Sequence, residues 1–356
     1  MEENSTGSRR VFHGSHETTN RDRSAAIGAL EGAVMTVGNL LILATLLRYK
    51  SLRRKKELLI LASLPLADFT YGCGTLIANL FLLSMSAGVG HGWMLLPGRP
   101  SPVACAVRHP WDFLHLLGKQ LVGLGLLVVG TDRLMAVVSY KSYMQRTLAY
   151  PVKILGFLLT FAVVQLLVMM LLVALSPGIP RIPHCITALY IPTWYATATD
   201  CLALAGGSLS LLVYAALPVA YRRATKTTQT TTRRGSRPTG GEHQRRLTIT
   251  VGVIVLFTAL FHVAPLGVRL LLLQTDWLVD TTEAKVLALA WTEPALQINC
   301  LSNLALFAWR LHDVRRGLVA LVTCRKTPDA AYVTAAGTST QHRPPPATSR
   351  RQCEKF

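Results

Sequence analysis

The sequence predicts an all-α membrane protein: a bundle of seven transmembrane helices, with a short amphipathic helix on the membrane surface after the seventh. Three observations predict it. The chain of 356 residues is 51% hydrophobic and only 15% charged, too apolar and too poor in charge for a soluble domain of this size. Its apolar residues fall into seven blocks, each long enough to cross a hydrocarbon core of about 30 Å as a helix. Lysine and arginine concentrate in alternate connections between those blocks.

Residues 1–24 are polar and lack an apolar core. They read as an extracellular tail rather than a cleavable signal peptide, so the first span is expected to act as the insertion signal. Asn4-Ser5-Thr6 makes Asn4 a glycosylation acceptor on that side, although such triplets also arise by chance. The first span covers about 25–47 and ends at the basic run Arg48, Lys50, Arg53, Arg54, Lys55 and Lys56. The second covers 57–83, and the connection 84–110, rich in Gly and Pro, is expected to be irregular. The third covers 111–139 and carries Asp132-Arg133 at its inner end, followed by Tyr140-Lys141-Ser142-Tyr143. The fourth covers 152–175 and the fifth 194–220.

The connection after the fifth span holds Arg222, Arg223, Lys226, Arg233, Arg234, Arg237, Arg245 and Arg246. Its segment 225–244 is rich in Thr, Arg and Gly without an apolar period, and is expected to be a flexible loop. The sixth span covers 247–273 and the seventh 286–309. Residues 25–309 thus form the bundle, 310–324 the surface helix and 325–356 a disordered cytoplasmic tail. In 310–323 basic and apolar residues alternate at helical spacing, the pattern of a helix lying on a membrane. Cys324, just beyond, is a candidate for palmitoylation, with a plain thiol as the alternative.

The net charge of +19 is not a nucleic-acid signal, because it sits in the first, third and fifth connections and after the last span. That distribution places the N-terminus outside and the C-terminus in the cytoplasm of a plasma-membrane protein. Cys73, Cys201 and Cys300 fall inside spans, whereas Cys105 and Cys185 face outside. Two outward cysteines in an oxidising compartment most simply pair, which would tie the third helix to the fourth connection.

Charge inside a bilayer is expensive, so intramembrane polar residues map the function. One group lies at the middle and inner levels: Asn39, Asp68, Asn299 and Asn303. It reads either as interhelical glue or as a hydrated cluster that holds a cation such as sodium on Asp68. A second group lies nearer the outside: Glu31, His115, Lys119, Gln120, Asp200, Arg269, Glu293 and Gln297. His115 and Lys119 share one helical face, as do Glu293 and Gln297. This group reads either as an internal ion pair, for example Lys119 with Glu293, or as a ligand pocket open to the outside. No motif for nucleophilic, metal-dependent or phosphate chemistry is found, and no cofactor or enzymatic activity is expected.

Several motifs in order resemble the rhodopsin-like family of G-protein-coupled receptors. They are Gly38-Asn39 in the first span, Leu64-Pro65-Leu66-Ala67-Asp68 in the second, and Asp132-Arg133-Leu134 ending the third. Tyr143 lies ten residues beyond Arg133, and Asn303-Leu304-Ala305-Leu306-Phe307 stands where the family has Asn-Pro-x-x-Tyr. Asn299, four residues before Asn303, falls where the family commonly has Asn. Pro265 matches the sixth-span proline, but Val263 stands in place of the usual Trp, and Val122 replaces a common cation-binding Ser. The likeness covers about residues 25–324, and the second-span approach and Asp-Arg-Leu are loosely similar to invertebrate serpentine chemoreceptors.

The resemblance implies a receptor that binds an extracellular ligand within the bundle and signals to a heterotrimeric G protein. His115, Lys119, Arg269, Glu293 and Gln297 would face the ligand. Asp132, Arg133, Pro265, Asn303 and Phe307 would form the activation switch. His115 where amine receptors have Asp disfavours an amine, and Gln297 where opsins have Lys disfavours a retinal pigment. The alternatives are a seven-helix transporter or channel, against which no half-to-half repeat is seen, and a receptor-like protein without G-protein signalling.

Overall fold

The computed structural model describes residues 14–87, 102–175, 191–231, 240–274 and 282–323, which form helices joined by short turns. The end of the bundle with the basic connections is here called inner. The first span is α1, Gly14–Arg48, with its apolar stretch at Asp22–Arg48. It begins ahead of the expected boundary at residue 25 because no Pro or Gly between Ser15 and Ile27 interrupts it. A short α2, Lys50–Arg53, leads to α3, Lys56–Leu61, and α4, Ser63–Ser86, which together make the second span. α5, Pro102–Arg108, gives helical form to the end of the connection expected to be irregular. The third span is α6, Pro110–Val138, which opens on a proline where a helix needs no N–H.

A short inner helix, α7, Tyr140–Gln145, precedes the fourth span, α8, Ala149–Ala174. The fifth span is α9, Thr193–Thr231. The sixth comprises α10, Gly240–Thr258, a π turn at Ala259–Val263, and α11, Ala264–Gln274. Helix therefore occupies much of 225–244, the segment expected to be a loop. No Gly or Pro interrupts α9 between Val219 and Thr231. The seventh span is α12, Thr282–Arg310, and α13, His312–Val322, follows it. Among the described residues, six helical spans are long and apolar enough to cross a membrane. α12 equals α6 in length but carries Glu293, Gln297, Asn299 and Asn303 along its interior.

The π turn has a local cause. Pro265 lacks an N–H and its ring crowds the carbonyl four residues earlier, that of Phe261. Widening the turn at Ala259–Val263 relieves that conflict without ending the helix.

Small residues bring the spans close enough for backbone contact, the usual basis of helix association where lipid is as apolar as the side chains. A Cβ on Gly32 would lie 2.6 Å from the Leu76 backbone nitrogen, joining α1 to α4. On Gly118 it would lie 2.6 Å from the Tyr71 backbone, joining α6 to α4, and on Gly123 it would lie 2.6 Å from the Ala203 carbonyl, joining α6 to α9. The inner half is filled by an apolar cluster that includes Ile42, Leu64, Leu126, Ile254 and Phe307. α13 lays Val314, Gly317 and Ala320 inward, where a Cβ on Gly317 would meet Thr45 of α1 at 2.6 Å. Its Asp313 pairs with Lys55, while Arg315 and Arg316 stay exposed. α8 is the outlying helix, with Val163, Val164, Leu167 and Leu171 exposed as a lipid-facing side would be.

The glycine contacts give a direct test. Gly123→Ala is expected to destabilise the fold by about 1–3 kcal/mol through overpacking against α9. Gly156→Ala, whose Cβ would meet nothing within 4 Å, is expected to stabilise α8 by about 0.5–1 kcal/mol. Thermal melting of the two purified variants against the unmodified protein checks both signs.

Candidate functional site

Two polar constellations lie at opposite ends of the bundle, with a polar core between them. The outer one centres on Glu293 of α12. Its Oε1 receives Lys119 Nζ at 2.6 Å and Arg269 Nη1 at 3.2 Å. Its Oε2 receives the Tyr71 hydroxyl at 2.9 Å and lies 2.9 Å from His115 Nε2. A nitrogen facing a carboxylate at that distance carries the proton, which fixes the His115 tautomer. A carboxylate has about four lone-pair sites, so Glu293 is filled. Arg269 also reaches Asp200 of α9, Nε to Oδ2 at 3.2 Å. The Tyr71 ring lies 4.4 Å from that of His115. Five spans thus meet through one carboxylate and one guanidinium.

The structure brings together His115, Lys119, Arg269, Glu293 and Asp200 from the outer group read in the sequence. Gln297 is buried one turn further in and does not join them, and Glu31 lies apart on α1. Gln120 turns away, toward a small cavity of about 10 Å³ between α6, α8 and α9 that is also lined by Phe113, Gln165 and Tyr195. Tyr71 is the member that sequence reasoning missed. Its signal was its place three residues after Asp68, on the same helical face.

In the middle, Asn303 Nδ2 donates to Asp68 Oδ2 at 3.1 Å, and the Cys300 thiol hydrogen-bonds to the same carboxylate. Thr258 Oγ1 lies 3.0 Å from Asn299 Oδ1 and links the sixth span to the seventh. Asn39 donates instead to Met35 of its own helix at 2.9 Å. Asp68 Oδ1 and Asn303 Oδ1 are buried without a protein partner. Two such oxygens suit a buried water. They fall short of the roughly six oxygen ligands of a hard cation, and Val122 adds none. Among the described residues no group of three or more His, Cys, Asp or Glu is placed to hold a metal ion.

The inner constellation is a triad. Arg133 Nη2 donates to Asp132 Oδ2 at 2.5 Å and lies 3.3 Å from the Tyr143 hydroxyl. That hydroxyl donates to Asp132 Oδ2 at 3.2 Å. All three side chains are buried. Burial, only partly offset by Arg133, holds the Tyr143 phenol above its usual range, so it keeps the proton it donates. Lys56 donates to the Tyr143 carbonyl at 2.5 Å and sits 4.2 Å over its ring. Arg133 Nε and Nη1 and Asp132 Oδ1 are buried without a protein partner. Phe307 packs nearby in the apolar cluster, and Pro265 follows the π turn in the sixth span.

Cys105 is buried and disulfide-bonded. Its expected partner Cys185 lies outside the described residues, as do Asn4 and Cys324.

Residues 38–303 match the family described as 7 transmembrane receptor (rhodopsin family). Comparison with curated proteins returns no match.

The saturation of Glu293 predicts that Glu293→Gln destabilises the fold by about 1–3 kcal/mol, since it leaves Lys119 buried without an ionic partner. Glu31→Gln is expected to change stability by less than about 0.5 kcal/mol. Thermal melting of both purified variants distinguishes a shared network from isolated charges.

Proposed function

The chain belongs to the rhodopsin family of seven-transmembrane receptors, and we propose that it is a plasma-membrane receptor whose outer network senses an extracellular ligand and whose inner triad engages a heterotrimeric G protein. The observation that carries this reading is the buried Asp132–Arg133–Tyr143 triad at the basic end of the third span. Asp132 and Tyr143 hold Arg133 against its own helix, while two of its guanidinium nitrogens lack protein partners. Arginine is always charged and offers five donors in a planar fork. It can therefore exchange a carboxylate for the carbonyls of a partner helix end without losing its charge. The surrounding face is basic: Arg53, Arg54, Lys153, Arg222, Arg315 and Arg316 are exposed there. Such a face suits both anionic lipid and an acidic protein surface.

This orientation puts the N-terminus outside and the Glu293 network within reach of an extracellular ligand. The sixth span supports transmission between the two ends. Arg269 binds the outer network, Thr258 meets Asn299 lower down, and the π turn with Pro265 lies between them. A shift at Arg269 is carried by a helix that already has a weak point.

Coupling is tested by Gα activation in cells expressing the receptor. Arg133→Ala is expected to abolish it at unchanged surface expression. Tyr143→Phe removes both hydrogen bonds of that hydroxyl from the resting triad, at least about 1 kcal/mol together, and is expected to raise ligand-free signalling about fivefold or more. Unaltered activation by the Arg133→Ala receptor would sink the reading.

A further inference from the structure

The network around Glu293 has the form of a carboxylate receptor that the chain fills with its own side chain. Resting on the receptor reading above, we propose that the extracellular ligand carries a carboxylate that replaces the Glu293 side chain against Lys119, Arg269, His115 and Tyr71. Three observations carry this. The four donors divide two and two between the oxygens of one planar group, Lys119 and Arg269 on Oε1, His115 and Tyr71 on Oε2. That is the coordination of a monovalent carboxylate, fully met.

The members also differ in how readily they can leave. The Lys119 side chain is 4% exposed and Asp200 is 3% exposed, whereas 36% of the Glu293 side chain is accessible. Glu293 is thus the less enclosed member of the pair, and the ammonium it meets is the more enclosed one. Arg269 is held in addition by Asp200 on a neighbouring span. A cationic ligand would have to take Glu293 away from Lys119 and leave that ammonium buried and unpaired, which is strongly unfavourable. An anionic ligand leaves no charge behind. It satisfies Lys119, and Glu293 moves out to water, where its own charge is solvated.

Position adds the third argument. Pro294 directly follows Glu293 within α12, so the turn that carries the carboxylate lacks one backbone hydrogen bond. The group that must move sits on the least restrained turn of its helix. Its release also passes Arg269 of the sixth span from Glu293 to the ligand, while Asp200 keeps its hold on the same guanidinium.

Chemical rescue tests the assignment. Full-length Glu293→Ala receptor, purified in detergent, is melted in sodium acetate, in sodium phosphate and in sodium chloride at matched ionic strength. Acetate is expected to raise its midpoint above that in chloride by on the order of 3 °C, saturably. The unmodified receptor, its cradle already full, is expected to show no acetate-specific rise, and a Lys119→Ala/Glu293→Ala receptor is expected to lose the effect. Equal midpoints in acetate and chloride overturn the proposal, as does an acetate rise that persists in the double variant. A rise in phosphate without one in acetate overturns the carboxylate assignment. If Glu293→Ala does not reach the cell surface, acetate in the growth medium supplies the readout: recovered surface expression supports the proposal, and none overturns it. Absence of Gα activation by the unmodified receptor would remove the receptor reading while leaving these outcomes as they stand.

Discussion

The arrangement of this bundle depends on the cost of an unpaired charge away from water. Lys119 and Asp200 are buried in the outer half, and each demands an opposite charge. Glu293 meets the first and Arg269 meets the second, and these two then meet each other. The chain of four charges runs through α6, α12, α11 and α9. Tyr71 and His115 complete it from α4 and α6. In an apolar solvent such a network specifies register more than it adds stability, because each missing partner would be penalised heavily while a complete set is close to neutral. The glycine contacts between α1, α4, α6 and α9 supply the complementary constraint: those spans touch backbone to backbone. The seventh span and the outer part of the sixth reach them through apolar side chains such as Leu266 and Leu296 and also through polar ones, and the polar contacts can exchange partners.

That division gives a physical account of the departures from the family pattern. Val263 stands where the family has Trp, and it packs over Gly207 of α9, where an added Cβ would lie 2.7 Å from it. The fifth and sixth spans close directly on each other at this level, so a large aromatic pivot has no role to fill. Contact between the sixth span and the outer network passes through Arg269. At the inner end, Phe307 replaces the family's Tyr and lies fully buried in the apolar cluster. Its place as a hydrogen-bonding latch is vacant, and the triad relies on Tyr143 and Lys56 for support.

Much of this was legible in the sequence, and the limits were physical. Seven apolar blocks and their basic connections identified the spans because hydropathy and charge act additively along a chain. Asp132-Arg133 was readable as a pair because opposite charges side by side at the end of an apolar span are the nearest partners available to each other. Lys119 with Glu293 was readable as an option because an intramembrane charge needs a partner. The convergence of four donors on Glu293 was not readable, because helix rotation is set by packing between spans and not by any one of them. Tyr71 was hidden for that reason, and so was Thr258 beneath Asn299. Lys56 was hidden for a different one: within a basic run, each lysine looks like a solvated charge. The helical stretches that carry α1 and α9 beyond their apolar parts were not legible because polar sequence without Pro or Gly gives no stop signal, whereas hydropathy marks only the membrane-embedded part.

Polar contacts at mid-depth lie between the two ends. Asn303 holds Asp68 and Thr258 meets Asn299, so below the outer network the seventh span is joined again to the second and to the sixth by polar contacts. Unpartnered oxygens on Asp68 and Asn303 mark places where a second set of contacts can form. Each such bond is worth about 1 kcal/mol net. A switch that reverses a population from about 1:99 to 99:1 needs about 5.5 kcal/mol of differential binding. No single contact between the ends supplies that. Hydrogen bonds to a charged group are worth more, about 1.5–3 kcal/mol each, so under the proposed function the four donors on Glu293 would suffice together, provided the ligand engages them in one arrangement and not in the other. Under the proposed function the inner triad would need only a small bias, because Arg133 would exchange one set of acceptors for another. The outer network would then supply the energy of switching and the inner triad would read it.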